Sequence, residues 1–517
     1  MMHYALKIQE ILFNIFGHCD QCTDQASLAR TCHAFKEPAL DMLWETLPHD
    51  LSPLARCLPE ASHPLTPHSS MWYMFTRPLM RTEWEILRSY TRRIRRIVNF
   101  EWGLDEKSVE ILTNPPTTEP LFPNLRHLGN CWGCINSTPL LRLPFPSLVS
   151  LHLNLGIPEQ FPQWFQDCLG SLPDSSPNVT KIHLRPSISD VSFSKSVSDW
   201  ICRWQNLQSV HCTDVILDVD ALAHLSRLPT FTQLECNQII TLPDCVSPLS
   251  FSNLTTLELW LTSLGPVLPL LSWIQLPAIK KLYVRFDICP SKQELPSILA
   301  AVQTSNANQT INDLRFNQLS CNSVRSEAYL LCLADLQPWM SFGDLRHIYL
   351  NVEWNVGLTD NDILILASAW PNLEDLSIND GCGWNAPSGI TTNGLLRLLQ
   401  TCRSLRQVAL AMDTQGDTKL PPANLGFTLP PDFTIDVLDS AIEEESVPAI
   451  AAFFAALKPS PNVHFDAWSS GDMVKPPGWE VYRDRWLDVC SRSNICHFGS
   501  TGSSESGSSW TTTETET

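Results

Sequence analysis

The chain has 517 residues, 44% of them apolar, and a net charge of −19 from 54 acidic and 35 basic side chains. Phosphate backbones and anionic lipid repel so acidic a surface, which makes nucleic acid and membranes poor partners. The apolar content suffices to bury most of the chain, and 18 cysteines spread over this length are no disulfide scaffold.

The first fifty residues read as helices. Ile8, Ile11, Leu12, Ile15 and Phe16 fall at helical spacing and mark one apolar stripe, ended by Gly17 and a polar run. A second helix is expected from Thr23 or Asp24, presenting Leu28, Cys32 and Phe35. A third has Pro38 in its first turn and carries Leu40, Leu43, Trp44 and Leu47. Three helices of about ten residues cannot bury this many large side chains among themselves. Part of that surface is left for the adjoining chain or for a partner. The opening Met1 to Lys7 lacks a basic start followed by an apolar run, so no secretory signal is expected. A reducing cytoplasmic or nuclear setting follows, with the cysteines mostly as small apolar fillers.

Taken in order, Ile8-Gln9-Glu10-Ile11-Leu12-Phe13-Asn14-Ile15-Phe16, Leu28-Ala29-Arg30-Thr31-Cys32-His33-Ala34-Phe35, Pro38-Ala39-Leu40 and Leu43-Trp44 resemble the F-box. The stretch looks most like the fungal type that carries divergent leucine-rich repeats. Ile8 and Gln9 stand where that pattern has proline, and Phe35 where it more often has tryptophan; both keep helix and apolar volume. The resemblance implies docking on a Skp1-like adaptor and, through it, a cullin. It implies that Leu6, Ile8, Ile11, Leu12, Ile15 and Phe16 supply part of the adaptor contact. Leu28, Cys32, Phe35, Leu43 and Trp44 would share contact and internal packing.

Residues 49–82 are rich in proline, yet Leu51, Leu54, Leu58, Trp72, Tyr73 and Phe75 call for burial, so a packed connecting segment is expected. Among the arginines at 92, 93, 95 and 96, Ile94, Ile97 and Val98 are interleaved, which reads as the solvated side of an early strand.

From residue 83 to 497 the chain repeats. Phe122-Pro123-Asn124-Leu125 and Phe145-Pro146-Ser147-Leu148 each open a Leu-x-x-Leu-x-Leu phrase. Copies centre on Leu151/Leu153, Ile182/Leu184, Val210/Cys212, Leu234/Cys236, Leu257/Leu259 and Leu282/Val284, then Leu314/Phe316, Ile348/Leu350, Leu376/Ile378 and Val408/Leu410. A period of roughly 23 to 34 residues repeated this often means stacked units. The asparagine expected three residues past the last leucine is missing, so irregular turns are expected. The uncharged stretch from Leu259 to Ile279 has the length of a membrane span, but Pro266, Pro269 and Pro277 break it, and it reads as buried repeat.

Alternation along each strand leaves the side opposite the leucines for binding. That phase presents His152 and Asn154, His183 and Arg185, His211 and Thr213, Glu258 and Trp260, and Tyr283 and Arg285. It continues with Arg315 and Asn317, Tyr349 and Asn351, and Ser377 and Asn379. Tryptophan, tyrosine and arginine anchor interfaces, so His152, Asn154, His183, Arg185, Trp260, Tyr283, Arg285, Arg315, Tyr349 and Asn351 form the candidate substrate strip.

Catalytic chemistry is not expected, and neither is a cofactor or a metal. Cys131-Trp132-Gly133-Cys134 sits after a strand rather than at a helix start, which is wrong for a redox pair. Cys19, Cys22, Cys32 and His33 lack a second paired knuckle for zinc. Glu443-Glu444-Glu445 opens a helix ending at Phe453, Phe454 and Leu457, and Trp479 to Val489 reads as a terminal helix capping the stack. Residues 498–517, made largely of Ser, Thr, Gly and Glu, are expected to be a flexible tail.

The expected fold is therefore α/β: a helical module over 1–48, then an irregular leucine-rich-repeat solenoid, a curved parallel sheet with helices outside. The expected role is substrate recognition for a cullin-type ubiquitin ligase. The alternative is a repeat scaffold without ligase coupling.

Overall fold

The computed structural model describes residues 8–19, 21–47, 51–64, 73–98, 106–129, 141–155, 163–186, 191–237, 248–306, 310–319, 329–416, 418, 420–421, 429–430, 432–457, 463–470, 473 and 475–493. Leu6, Trp72, the Cys131/Cys134 pair and the 498–517 tail lie outside them. Two compact units are present: Met1–Phe286 with Thr304–Thr310, and Asp287–Gln303 with Ile311–Thr517.

In the first unit three helices come first: α1 (Gln9–Phe16), α2 (Cys22–Thr31) and α3 (His33–Leu43). The second begins at Cys22, before either expected capping residue, with Gln21 as its N-cap. Extended backbone at Cys32 (φ −158°, ψ 165°) separates the second helix from the third, so the third starts at His33. Pro38 then falls inside it, not in its first turn. Cys32 is thus a junction residue, not part of a helical stripe.

The sheet begins earlier than residue 83. Thr46–Leu47, directly after α3, pairs parallel with Arg96–Ile97. Strands His127–Leu128, Ser150–Leu155, Lys181–Pro186, Ser209–Cys212, Gln233–Asn237, Thr256–Leu261 and Lys281–Phe286 follow side by side in chain order, all parallel. Their leucine positions are buried throughout: Leu151, Leu153, Ile182, Leu184, Val210 and Cys212 are all at 0% exposure. Parallel neighbours need a crossover, and helices such as Val219–Arg227 supply it. In that helix Asp218 caps the start by accepting the Ala221 N–H at 2.9 Å, and Leu222 and Leu225 are buried.

The repeated Pro-x-Leu phrase has a physical reason. In four of the repeats the residue before the phrase's first leucine or valine donates its side chain to a carbonyl one repeat back. Asn124 reaches the Arg92 carbonyl at 2.6 Å, Ser147 that of Pro123 at 2.7 Å, Asn178 that of Pro146 at 2.8 Å and Asn253 that of Pro229 at 2.9 Å. The phenylalanines of the phrase stack inside, Phe122 on Phe145 and Phe231 on Phe251, each pair with ring centroids 6.4 Å apart. Each unit is a leucine-rich-repeat stack.

The connecting segment packs in short pieces. Ser52–Arg56 is helical, Ser62–Pro64 pairs antiparallel with Tyr73–Phe75, and Leu51, Leu54, Leu58 and Phe75 are buried. Pro266 is the N-cap of helix Val267–Trp273 and Pro269 lies in its first turn, where N–H groups have no partner in any case; these prolines admit a short buried helix instead of preventing one. No described helix is long and apolar enough to cross a membrane.

The second unit has strands Asp313–Gln318, His347–Asn351, Asp375–Ile378, Gln407–Ala409, Thr434–Asp436 and His464–Asp466, again parallel and in chain order. Helices Asp360–Ala369 and Thr392–Thr401 are capped by the Thr359 and Thr391 hydroxyls. The acidic run at 443–445 leads through one 3-10 turn into helix Val447–Ala456. Helix Trp479–Ser493 closes the end, with Trp486 fully buried, its rings against Phe454 and Phe465 and its Nε1 donating to the Ser440 carbonyl at 2.9 Å.

The turns of this unit do use asparagine, but one residue past the last leucine. Asn379, at 0% exposure and φ +58°, accepts the Val352 N–H at 3.0 Å and donates to the Trp354 carbonyl at 2.8 Å. Asn379→Ala leaves both backbone groups unpaired and keeps a backbone angle that alanine disfavours. The expected cost is about 3 kcal/mol, read as a lower midpoint in denaturant unfolding.

Candidate protein-interaction surface

The helical module divides its apolar residues by direction. Leu12 and Phe16 (2% exposed) and Ala39 form a small core, with Leu28, Ala29, Phe35 and Met42 packed against it. Phe16 meets Phe35 edge-on at 5.2 Å. Leu12 and Phe16 are therefore internal, which corrects their assignment as adaptor contacts: packing against α3 needs one face of the amphipathic helix. Trp44 also turns inward, its ring 4.6 Å from Tyr90. The other face stays open. Ile11 is 37% exposed and Ile15 46%, while Ile8, Cys32 and Leu43 are half-buried.

The module is seated firmly on the first repeat. Arg93, whose side chain is 7% exposed, pairs with both Glu37 and Asp41 of α3. That corrects the reading of this arginine as solvated; Arg92, Arg95 and Arg96 are exposed.

On the sheet face of the first unit, strand register lines the candidate strip into rows. One row runs His152, His183, His211, Glu235, Glu258, Tyr283. The three imidazoles stack, with centroids 5.2 and 5.5 Å apart and rings tilted by 20° and 14°. His211 Nδ1 bonds Glu235 at 2.6 Å, and the other Glu235 oxygen accepts Trp260 Nε1 at 3.0 Å. Arg285 pairs with Glu258 at 3.0 Å and lies over the Trp260 ring at 4.2 Å. Trp260, Tyr283 and Arg285 are half-buried within this network, while His152 and Arg185 are exposed.

Charge in these rows is set by neighbours. Burial holds the His183 imidazole down to about 4, and His211, His152 and Arg185 push the same way. Burial pushes the Glu235 carboxyl up, but the hydrogen bond and charge of His211, with His183 and Arg185, hold it below the usual carboxylate range. Cys212 and Cys236, at leucine-equivalent positions, are fully buried, and desolvation pushes the Cys236 thiol up to about 12. Cys382 is disulfide-bonded, whereas the cysteines were expected to be mostly small apolar fillers.

In the second unit the strip is spent on its own structure. Arg315 forks onto Asp313 at 2.8 and 3.1 Å. Asn351 is 4% exposed, which corrects its assignment to substrate contact. Its side chain donates to Asn317 and the Gln318 carbonyl and accepts the Gly381 and Cys382 N–H groups. A Cβ at Gly381 would lie 2.6 Å from that side chain. Ser377 and Asn379 are likewise buried, as is Thr213 of the first unit. Tyr349 remains half-buried beside Asp380.

Of the carboxylates on this face Glu258 was named from the sequence and Glu235 and Asp375 were not, though their repeat-length offsets from His211 and His347 would have found them. His347 bonds Asp375 at 2.5 Å, which raises its imidazole. Asp436 and Asp466 are register neighbours. Burial pushes the Asp436 carboxyl up to about 7, and Asp466, Asp380 and Asp439 push the same way against the Leu438 N–H bond. Among the described residues no three His, Cys, Asp or Glu side chains are placed to hold a metal ion.

No family model matches the chain, and no curated protein matches it. Among solved structures it is similar to an internalin from Listeria monocytogenes, at 14% identity and a TM-score of 0.32, over 76% of this chain and 87% of that one. It is also similar to a Bacteroides fragilis protein, at 14% identity and 0.26, over 58% and 68%. At such scores the fold rests on the strand register and side-chain ladder above.

The Asp436 carboxyl makes stability pH-dependent. Its folded value lies above the unfolded one of about 4, so the folded state holds the proton longer. Stability is full below about 4 and falls as pH rises through about 7. Asp436→Asn is expected to flatten that slope, raising the thermal midpoint at pH 8 by a few degrees with little change at pH 4.

Proposed function

We propose that this chain is a non-catalytic substrate-recruiting subunit of a cullin-type ubiquitin ligase. The N-terminal helices would dock on a Skp1-like adaptor, and the sheet face of the repeats would hold a target protein. Its contribution is proximity: it fixes a target where an attached enzyme acts. The observation that carries this reading is the split on α1. Leu12 and Phe16 satisfy the internal core, yet Ile11 and Ile15, members of the same ordered motif, stay on the surface.

Burying an isoleucine fully is worth about 1.5–3 kcal/mol, so covering two that are already half covered gives roughly 2 kcal/mol. Charge there would be worse than loss of contact. In the double variant Ile11→Glu/Ile15→Glu, capture of a Skp1-like adaptor by the full chain is expected to fall at least about tenfold. The thermal midpoint should stay within a degree or two, since neither side chain is in the core. Equal capture by the variant and the parent would sink the docking role.

A second reading has its own support. The Arg93 ion pairs to Glu37 and Asp41, the Trp44–Tyr90 contact and the Thr46–Leu47 strand tie the helices to the first repeat as a cap would. On that reading the chain is a repeat scaffold, and adaptor capture is absent from the parent as well.

A further inference from the structure

We infer that the two units respond to pH in opposite senses: acid loosens the first at its histidine column, and rising pH loosens the second at the Asp436–Asp466 pair. This device goes beyond recruitment and is independent of what the chain binds.

In the first unit the geometry stacks groups that charge alike. His152, His183 and His211 are register neighbours on three adjacent strands, with ring centroids 5.2 and 5.5 Å apart. The groups facing His183 are those two imidazoles, Lys181 and Arg185 of its own strand, and Glu235 one strand beyond His211. Glu235 is committed, with one oxygen on His211 Nδ1 at 2.6 Å and the other on Trp260 Nε1 at 3.0 Å. It pulls His183 toward the charged form, but less strongly than His211, His152 or Arg185 pushes the other way. A proton on this half-buried central ring therefore lands among like charges, which opposes the native register.

The second unit has the same arrangement with the sign reversed. Asp436 and Asp466 are register neighbours on adjacent parallel strands, whose backbones lie about 4.8 Å apart. Across the other flank stand Gln407 and Ala409, neither of which titrates. His464 shares the strand of Asp466, and Asp380 and Asp439 bear on Asp436 from the turns. Backbone N–H groups give these carboxyls some help. Asp436 accepts that of Leu438 at 2.8 Å, Asp466 that of Ala467 at 2.9 Å, and Asp439 those of Trp384 and Asn385 at 2.9 and 2.7 Å. Among the described residues no cation pairs with Asp436 or Asp466. Loss of both protons sets two like charges side by side in a half-buried row.

The two responses run against each other. Burial, then His211, His152 and Arg185, hold His183 down to about 4, below the value of about 6.5 in an unfolded chain. The stability it contributes is full above about 6.5 and is lost as pH falls through about 4. Burial, with Asp466, Asp380 and Asp439, pushes Asp436 up to about 7, so its contribution is full below about 4 and is lost as pH rises through about 7. Neighbours mostly share the sign of their unit. Glu235 is held below the usual carboxylate range in the first, while in the second burial raises Asp380 and Asp466, and Asp375 raises His347. Asp214, raised by burial, works against the first from an exposed position. Between about pH 4 and 7 one unit gains as the other loses, and pH sets which of them opens first.

The test is native-state hydrogen exchange of the full chain at pH 5.0 and pH 7.5, read by mass spectrometry as protection relative to the intrinsic rate at each pH. Peptides covering Lys181–Pro186 and Ser209–Cys212 report the first unit, and those covering Asp375–Ile378 and Thr434–Asp436 the second. From pH 7.5 to pH 5.0, protection is expected to fall at least about tenfold in the first set and to rise at least about tenfold in the second. His183→Gln should cut the fall to less than about threefold and leave the rise intact. His183→Phe, which keeps a ring in the stack, should do the same. Asp436→Asn should remove most of the rise and leave the fall. Protection that moves in the same direction in both sets of the parent chain, or stays fixed in either, overturns the inference without any variant. A fall that persists in both His183 variants, or a rise that persists in Asp436→Asn, overturns the role given to that group.

Discussion

The sheet face of the first unit depends on register, which the buried leucines set and which ties between successive turns reinforce at four places. The hydrogen bonds of a parallel ladder are alike at every step, so they do not choose the register themselves; the buried leucine face does. At four strands a side chain just before the first leucine or valine (Asn124, Ser147, Asn178 and Asn253) grips a carbonyl of the previous turn and reinforces where the ladder starts. Register then carries that choice outward. It puts His183 between two other imidazoles and Trp260 beside Arg285. A slip of one residue would bury those groups and expose the leucines.

The repeat itself was legible in the sequence because a leucine spacing that recurs this often has few physical explanations. The strands fell where Leu-x-x-Leu-x-Leu placed them, from Ile97 to Val408. Helix starts were read less well where the backbone decided them. Extended geometry at Cys32 shifted α3 to His33 and enclosed Pro38, a choice no local preference announces. The helical module's apolar residues were found as a set, but the set could not be divided into inward and outward members. That division depends on where α3 lies, and it sent Leu12 and Phe16 inward and Ile11 outward.

The candidate strip was read correctly in phase and incompletely in chemistry. Alternation gives the side of a strand, but not whether a neighbour one repeat away carries the opposite charge. Arg285 and Arg315 looked available from the sequence and are engaged by Glu258 and Asp313. Asn351 had the right phase for exposure, yet at a strand end it is enclosed by the Gly381 turn, which its side chain holds in place.

The grip between successive turns has a consequence for how such a chain tolerates change. Because alignment is set at the mouth of each strand, the crossover between strands carries no information about it. Spacers there can lengthen, shorten or swap a helix for irregular coil without disturbing the order of groups on the sheet. The uneven repeat length of this sequence is what that freedom looks like: a sheet face kept in alignment while the connecting chain behind it drifts.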